Sequence, residues 1–266
     1  MNPSEILLYR DAALAACAKA RTHSLARPGW ELAARAKQDK SPVTEADLAV
    51  EQCLRDELAA RFPDHGLVGE EFPRANPDSR FQWIMDPIDG TISFSRGIPL
   101  WGTILGLYVD GQPVVGVIDH AALDVVYHAA KGLGAWAGQR RLTIHDLPAD
   151  VAIEDELMAV GDRPQFARIG RLPVFDALHR AHPRVRTYSD CHGHTLAAQG
   201  SVGALADFGL RNWDLAATQL LVEEAGGAYQ VVGTHPDPVN AGGTCYDVVI
   251  GKPRCVAWMA DVIARG

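Results

Sequence analysis

The sequence contains no long hydrophobic run. No stretch approaches the roughly 18 apolar residues that a membrane-spanning helix needs, so a bilayer is not an expected partner. Cysteine is scarce, with five in 266 residues: Cys17, Cys53, Cys191, Cys245 and Cys255. They are odd in number, widely spaced and form no C-x-x-C pair, which argues against a disulfide framework and a structural zinc site. Positive charge is in deficit. Lys and Arg total 25 against 33 Asp and Glu, a formal net charge of −8. The chain therefore lacks the basic stripe that a nucleic-acid backbone requires. The opening Met1-Asn2-Pro3-Ser4-Glu5 lacks the basic and apolar regions of a secretion signal, and reduced thiols in a cytoplasmic protein are the expectation. Internal repeats, low-complexity tracts and long linkers are also missing. What is present, 47% hydrophobic and 22% charged residues, is ordinary globular composition and excludes a disordered or collagen-like chain. Acidity still permits a phosphate substrate, because bound cations reverse the local sign of a site.

The pattern along the chain predicts a helix from Ser4 to about Arg27, stopped by Pro28-Gly29. Lys37 to Pro42 reads as a loop or hairpin tip. Thr44 then caps a second helix, with Asp47 three residues on as its reciprocal partner. Strand signals follow from Phe81 to Ala129, with Asp110-Gly111 as a hairpin turn. Strands and helices alternate in the second half, and a helix is expected from Trp213 to Ala225, closed by Gly226-Gly227. This order predicts a layered α/β (α+β) protein with sheets packed between helices. Asp146 to Glu156 is the best internal boundary, giving one unit with two packed subdomains, 1–145 and 146–266.

Three acidic clusters stand out: Gly69-Glu70-Glu71-Phe72, Asp86-Pro87-Ile88-Asp89-Gly90-Thr91, and Asp214 beside Trp213. In the second, Pro87 fixes φ and ends a strand, so Asp86 and Asp89 can converge across a turn. Gly90 admits close backbone approach to a ligand, and the amides that follow can meet a phosphate oxygen. Two close carboxylates repel, and a divalent cation relieves them. Carboxylates with a backbone carbonyl, here Ile88, are hard donors that suit Mg²⁺ rather than zinc. Each feature also has a plainer reading as a turn former, a capping acid or a solvated loop charge.

Together these blocks resemble the inositol monophosphatase superfamily of metal-dependent, lithium-sensitive phosphatases. Asp86-Pro87-Ile88-Asp89-Gly90-Thr91 matches its signature. Pro42-Val43-Thr44-Glu45-Ala46-Asp47, Gly69-Glu70-Glu71 and Trp213-Asp214-Leu215-Ala216-Ala217 match its other blocks in order, and Glu223-Glu224-Ala225-Gly226-Gly227 also fits. The resemblance spans about Leu7 to Gly251. It implies a five-layered αβαβα fold and hydrolysis of a small phosphate monoester with two or more Mg²⁺. It also implies metal ligation by Glu70, Asp86, the Ile88 carbonyl, Asp89 and Asp214. Asp47 and Thr91 match the pair that orients and deprotonates the attacking water, with Glu70 beside them as a catalytic residue. The Gly90 and Thr91 backbone matches the phosphate cradle. Members of the superfamily often form homodimers.

The segment Ser93-Phe94-Ser95-Arg96-Gly97-Ile98-Pro99-Leu100-Trp101-Gly102-Thr103 resembles the histidinol-phosphate phosphatase branch, as does Ser189-Asp190-Cys191 followed by Gly193. Two departures stand out. Ile92 replaces a commonly basic residue, and His192 and His194 stand where that branch tends to have tyrosines. L-histidinol phosphate is cationic at its amine, so an acidic pocket of Asp190 and Asp207, with His192 beside it, is the expected substrate site. The alternatives are an inositol monophosphate or related sugar or cyclitol phosphate as substrate, or a member acting mainly in binding or regulation.

Overall fold

A computed structural model of the chain describes residues 1–31, 35–36, 42–238 and 242–265. The first helix, α1 (Pro3–Ser24), begins at Asn2. The Asn2 side chain accepts from the Glu5 amide while the Glu5 carboxylate accepts from the Asn2 amide, a reciprocal cap. Two short antiparallel strands, β1 (Arg35–Ala36) and β2 (Pro42–Val43), lead into α2 (Glu45–Arg61). Residues 37–41 of the expected hairpin tip lie outside the described residues.

A seven-stranded sheet follows: β3 (Gly66–Gly69), β4 (Phe81–Asp89), β5 (Gly102–Val109), β6 (Gln112–His120), β7 (Val125–Ala130), β8 (Gly134–Ala137) and β9 (Arg140–Arg141), in that spatial order. The first pair is parallel and the others are antiparallel. A short helix, α3 (Thr91–Ser95), interrupts the path from β4 to β5. The expected turn at Asp110-Gly111 has positive φ at both residues, 52° and 77°, the twist that a two-residue hairpin favours.

The second sheet has the order β11-β10-β12-β14-β13. Its strands are β10 (Met158–Val160), β11 (Val185–Thr187), β12 (Ala204–Leu210), β13 (Ala228–Pro236) and β14 (Thr244–Gly251). Around it lie α4 (Arg163–Arg168), α5 (Leu172–Ala181), α6 (Asp190–Ala198), α7 (Thr218–Glu224) and α8 (Pro253–Arg265).

Alternation along the strands builds the layers. Leu105, Leu107, Val115 and Val117 join Ala16, Val50 and Leu54 in a core under α1 and α2. Ile104, Ile118 and Ala129, on the other face, join Leu205, Leu221 and Val248 in a core between the sheets, where α6 and α7 lie. Val160, Phe208 and Val249 meet Phe175, Cys255 and Met259 on the far face of the small sheet, beneath α5 and α8. The layers run helices, sheet, helices, sheet, helices, the five-layered αβαβα arrangement expected. The central core draws residues from both sides of Asp146. Because β5 and β6 are buried on both faces, they read as near-continuous apolar runs.

Two expectations need correction. The helix expected from Trp213 begins at Thr218, and residues 212–217 are turn. His192 and His194, expected at a loop–helix junction, both lie inside α6.

Candidate active site

In a regular strand, Asp86 and Asp89 would point to opposite faces, since three residues is an odd step. The pairing of β4 with β5 shifts between them: Asp86 lies opposite Ile104 and Asp89 opposite Gly102. Three steps on β4 match two on β5, so one residue is bulged out, and that extra residue returns both acids to one side. The Thr103 hydroxyl donates to the Pro87 carbonyl at 2.8 Å and ties the bulge to β5. Gly90 follows at φ 87°, in the left-handed region that glycine enters freely. A side chain there would also crowd the Leu100 carbonyl at 3.0 Å and the Asp190 carboxylate at 3.2 Å.

Asp47 does what its place at N3 predicts and one thing more. Its Oδ2 accepts from the Thr44 amide at 2.8 Å and the Thr44 hydroxyl at 2.6 Å. Its Oδ1 lies 3.4 Å from Thr91 Oγ1, which also donates to the Ile88 carbonyl at 3.0 Å. The helix cap and the signature loop therefore meet through one carboxylate and one hydroxyl.

Asp214 enters from the other half of the chain. Its Oδ2 accepts from the Arg211 amide at 2.8 Å, which folds residues 211–214 into a turn ahead of α7. One carboxylate oxygen from each of Asp86, Asp89 and Asp214 lies within 4.8 Å of the others. Asp89 is raised well above the usual carboxylate range by burial, then by the charges of Asp190 and Asp214. Asp214 is pushed up to about 7 by burial and then by Glu70. Glu70 lies just after β3 and lines a cleft of about 590 Å³ with Arg74, Arg211, Asn212, Trp213 and Tyr246.

Cation fit can be judged from these donors. They are hard carboxylate oxygens, mutually repelled, at separations that ligand distances of about 2.0–2.6 Å can bridge. The set fits a divalent cation such as Mg²⁺ and offers no soft ligand for zinc.

The expected substrate acids are also brought close. Asp190 opens α6 at φ 57°, a region that costs most side chains energy but that aspartate tolerates. It is pushed up to about 6 by burial and then by the charge of Asp207. Asp207 lies within β12 and is 2% exposed, so it is not a surface acid. His192 turns elsewhere: its ring meets those of His120 and Tyr188 at 5.9 and 6.3 Å. Residues two apart on a helix are separated by about 200°, so His192 and His194 do not converge. The Cys191 side chain is buried, while its amide donates to the Asp89 carboxylate.

Several contributors escaped the sequence reading. Buried Glu51 accepts from the Glu71 amide at 2.7 Å and the Phe72 amide at 3.2 Å, and pairs with Arg55 at 2.8 Å. Arg55 donates in turn to the Phe72 carbonyl at 3.0 Å. This clamp from α2 sets the course of the loop that starts at Glu70. The available signal was an i, i+4 acid–base pair on the buried side of α2. The Cys191 and Arg211 amides had no signal, since every residue has one.

Comparison with known proteins agrees with this geometry. The model of the inositol monophosphatase family matches residues 8–254. A histidinol-phosphatase from Chlorobaculum parvum is 38% identical over 194 residues, 72% of this chain and 73% of that protein. A probable inositol 1-monophosphatase from Mycobacterium tuberculosis is 35% identical over 244 residues, 85% of this chain and 83% of that protein. Among solved structures, an inositol monophosphatase from Zymomonas mobilis superposes with a TM-score of 0.81 at 26% identity, covering 99% of this chain and 100% of that one. With the carboxylate cluster, the five layers and a family match over nearly its whole length, the chain belongs to the inositol monophosphatase family and is a phosphatase of phosphoric monoesters.

Proposed function

We propose that this phosphatase hydrolyses a small cationic phosphate monoester, L-histidinol phosphate first, in a Mg²⁺-dependent reaction. The observation that carries the reading is the meeting of two acid sets in one place. Asp86, Asp89 and Asp214 converge, and Asp190, raised in part by the charge of Asp207, sits against Gly90 and precedes the Cys191 amide that donates to Asp89. Asp86, Asp89, Asp214, Glu70 and the Ile88 carbonyl would hold the cations, two or more per site, which when bound polarise the phosphoryl oxygens and acidify water.

The chain's own residues do the rest. The Gly90 and Thr91 backbone cradles the phosphate. Thr91 Oγ1 and Asp47 Oδ1, 3.4 Å apart, orient the attacking water, and the Asp47 carboxylate takes its proton. Asp190 and Asp207 hold the ammonium of the leaving alcohol, since opposite charges interact strongly in a shielded site. Buried, unpaired thiols at all five cysteines support a reducing, cytoplasmic setting.

A second reading, an inositol monophosphate as substrate, is favoured by the relative that is 35% identical over 85% of the chain. Phosphate release from a panel of monoesters, with and without Mg²⁺, separates the readings. The expected result is Mg²⁺-dependent release with highest kcat/KM for L-histidinol phosphate. Preference for inositol 1-phosphate would overturn the substrate, and release unaffected by removing divalent cations would overturn the metal.

A further inference from the structure

Asp207 is held at both oxygens. Its Oδ1 accepts from the Phe208 amide at 2.9 Å and lies against Gly161, where a side chain would begin only 2.0 Å away. Its Oδ2 lies 3.3 Å from His194 Nε2. The other nitrogen of the same ring, Nδ1, lies 2.9 Å from Thr218 Oγ1. Asp207, His194 and Thr218 are 2%, 1% and 1% exposed, so water does not compete for these contacts.

The chain of contacts has a direction. A neutral imidazole donates from one nitrogen and accepts at the other. A carboxylate only accepts, so the contact to Asp207 assigns the donor to Nε2, and a neutral ring then accepts the Thr218 hydroxyl at Nδ1. Thr218 opens α7, four residues after Asp214, and its amide donates to the Leu215 carbonyl at 3.1 Å. The substrate acid on β12 is thereby tied through α6 to the turn that carries Asp214.

Asp207 faces like charges, since its charge raises both Asp190 and Asp162. The Phe208 amide fixes Oδ1, and the His194 ring is the contact that aims Oδ2. We propose that His194 is a positioning residue that fixes the Asp207 carboxylate as the anchor for a cationic leaving group, with Thr218 setting its tautomer. This rests on the reading of Asp207 as the ammonium ligand and adds the device that aims it.

Two substitutions of His194 separate the role from plain packing. Glutamine places an amide near Nε2 and keeps a donor for Asp207. Asparagine reaches only as far as Nδ1 and loses it. The measurement is the ratio of kcat/KM for L-histidinol phosphate to that for glycerol 2-phosphate, which has no ammonium, with Tm recorded for each variant. A hydrogen bond to a buried charge corresponds to roughly tenfold or more. H194N is expected to lower the ratio about tenfold, mainly through KM for the cationic ester, and H194Q to restore most of it. T218V, which leaves the imidazole in place, is expected to lower the ratio about threefold and decides the matter if H194N does not fold. Equal losses on both esters, or H194Q no better than H194N, would overturn the positioning role. A wild-type enzyme without preference for the cationic ester would overturn the substrate reading and this inference with it, whereas a preference that survives H194N and T218V would overturn the inference alone.

Discussion

The seven-stranded and five-stranded sheets supply acids to one site by different means. On the large sheet, Asp86 and Asp89 come from a single bulged strand end, and Asp47 comes from the cap of the helix packed beneath it. Asp47 is aimed by Thr44, three residues away, whereas Asp89 accepts from the Cys191 amide across the fold. On the small sheet, Asp190, Asp207 and Asp214 come from a helix start, a strand interior and a turn. Asp214 is held by the Arg211 amide three residues away, while Asp207 is tied from β12 through α6 to α7. The difference suggests a division of labour. On the proposed reading, the clustered acids Asp86, Asp89 and Asp214 serve chemistry common to every substrate, and Asp190 and Asp207 serve selection among substrates.

The largest test of that division is a pair of isosteric changes. Asp89→Asn is expected to lower kcat about a thousandfold or more on every ester tried, with no loss of metal-free stability, because one repelled buried carboxylate is neutralised. Asp207→Asn is expected to raise KM for L-histidinol phosphate about tenfold to a hundredfold, with a smaller loss on glycerol 2-phosphate. Steady-state kinetics on the two esters read both. Uniform loss in Asp207→Asn would break the comparison, since Asp207 would then serve the chemistry as Asp214 does.

The next effect concerns pH and cations. Asp214 is raised to about 7 by burial and then by Glu70. Between about pH 4 and 7 the unfolded chain has released this proton and the metal-free folded chain retains it. Since stability falls with pH wherever the folded state binds more protons, metal-free stability should decline across that window. A bound divalent cation favours the ionised acids and reverses the trend. Saturating Mg²⁺ at a hundred times its Kd adds about 2.7 kcal/mol, mostly above pH 6. Thermal melts with Mg²⁺ and with chelator, from pH 4 to 8, should diverge as pH rises. Melts that stay parallel would remove the acid cluster as the cation site.

The smallest effect is at the cap. Thr44→Ala removes the hydroxyl that meets the Ala46 amide and Asp47 and is expected to cost about 1 kcal/mol. If Thr44 aims Asp47, kcat should also fall several-fold, because Oδ1 of a loosened Asp47 no longer holds its place beside Thr91. Chemical denaturation and kcat on the same variant check this. A stability loss with unchanged kcat would confine Thr44 to the helix.

Much of this arrangement was legible in the chain, and what was legible had local causes. The Thr44–Asp47 cap follows from three-residue spacing at a helix start. The strand end at Pro87 and the Asp110-Gly111 turn follow from proline geometry and positive φ. The helix misplaced at Trp213 shows the limit: Leu215-Ala216-Ala217 has helical propensity, but the Arg211 amide bonds to the Asp214 carboxylate and holds a turn until Thr218. Glu51 and Arg55 show it too. The spacing is that of an ordinary solvated pair, and only burial against the loop from Glu70 makes it a clamp. His192 and His194 looked alike in the sequence, yet one ring packs on His120 and Tyr188 and the other bonds Asp207.

By itself, the sequence determined which acids were available, that their oxygens are hard donors, and how Asp47 is capped and the strand ends at Pro87, because those causes lie within a few residues. Only the tertiary structure decided that Asp214 would reach Asp86 and Asp89, that Asp207 would be a buried acid held by a histidine, and that His192 would not join it. Those outcomes depend on how strands pair and helices pack across more than a hundred residues of chain, and no local propensity encodes that.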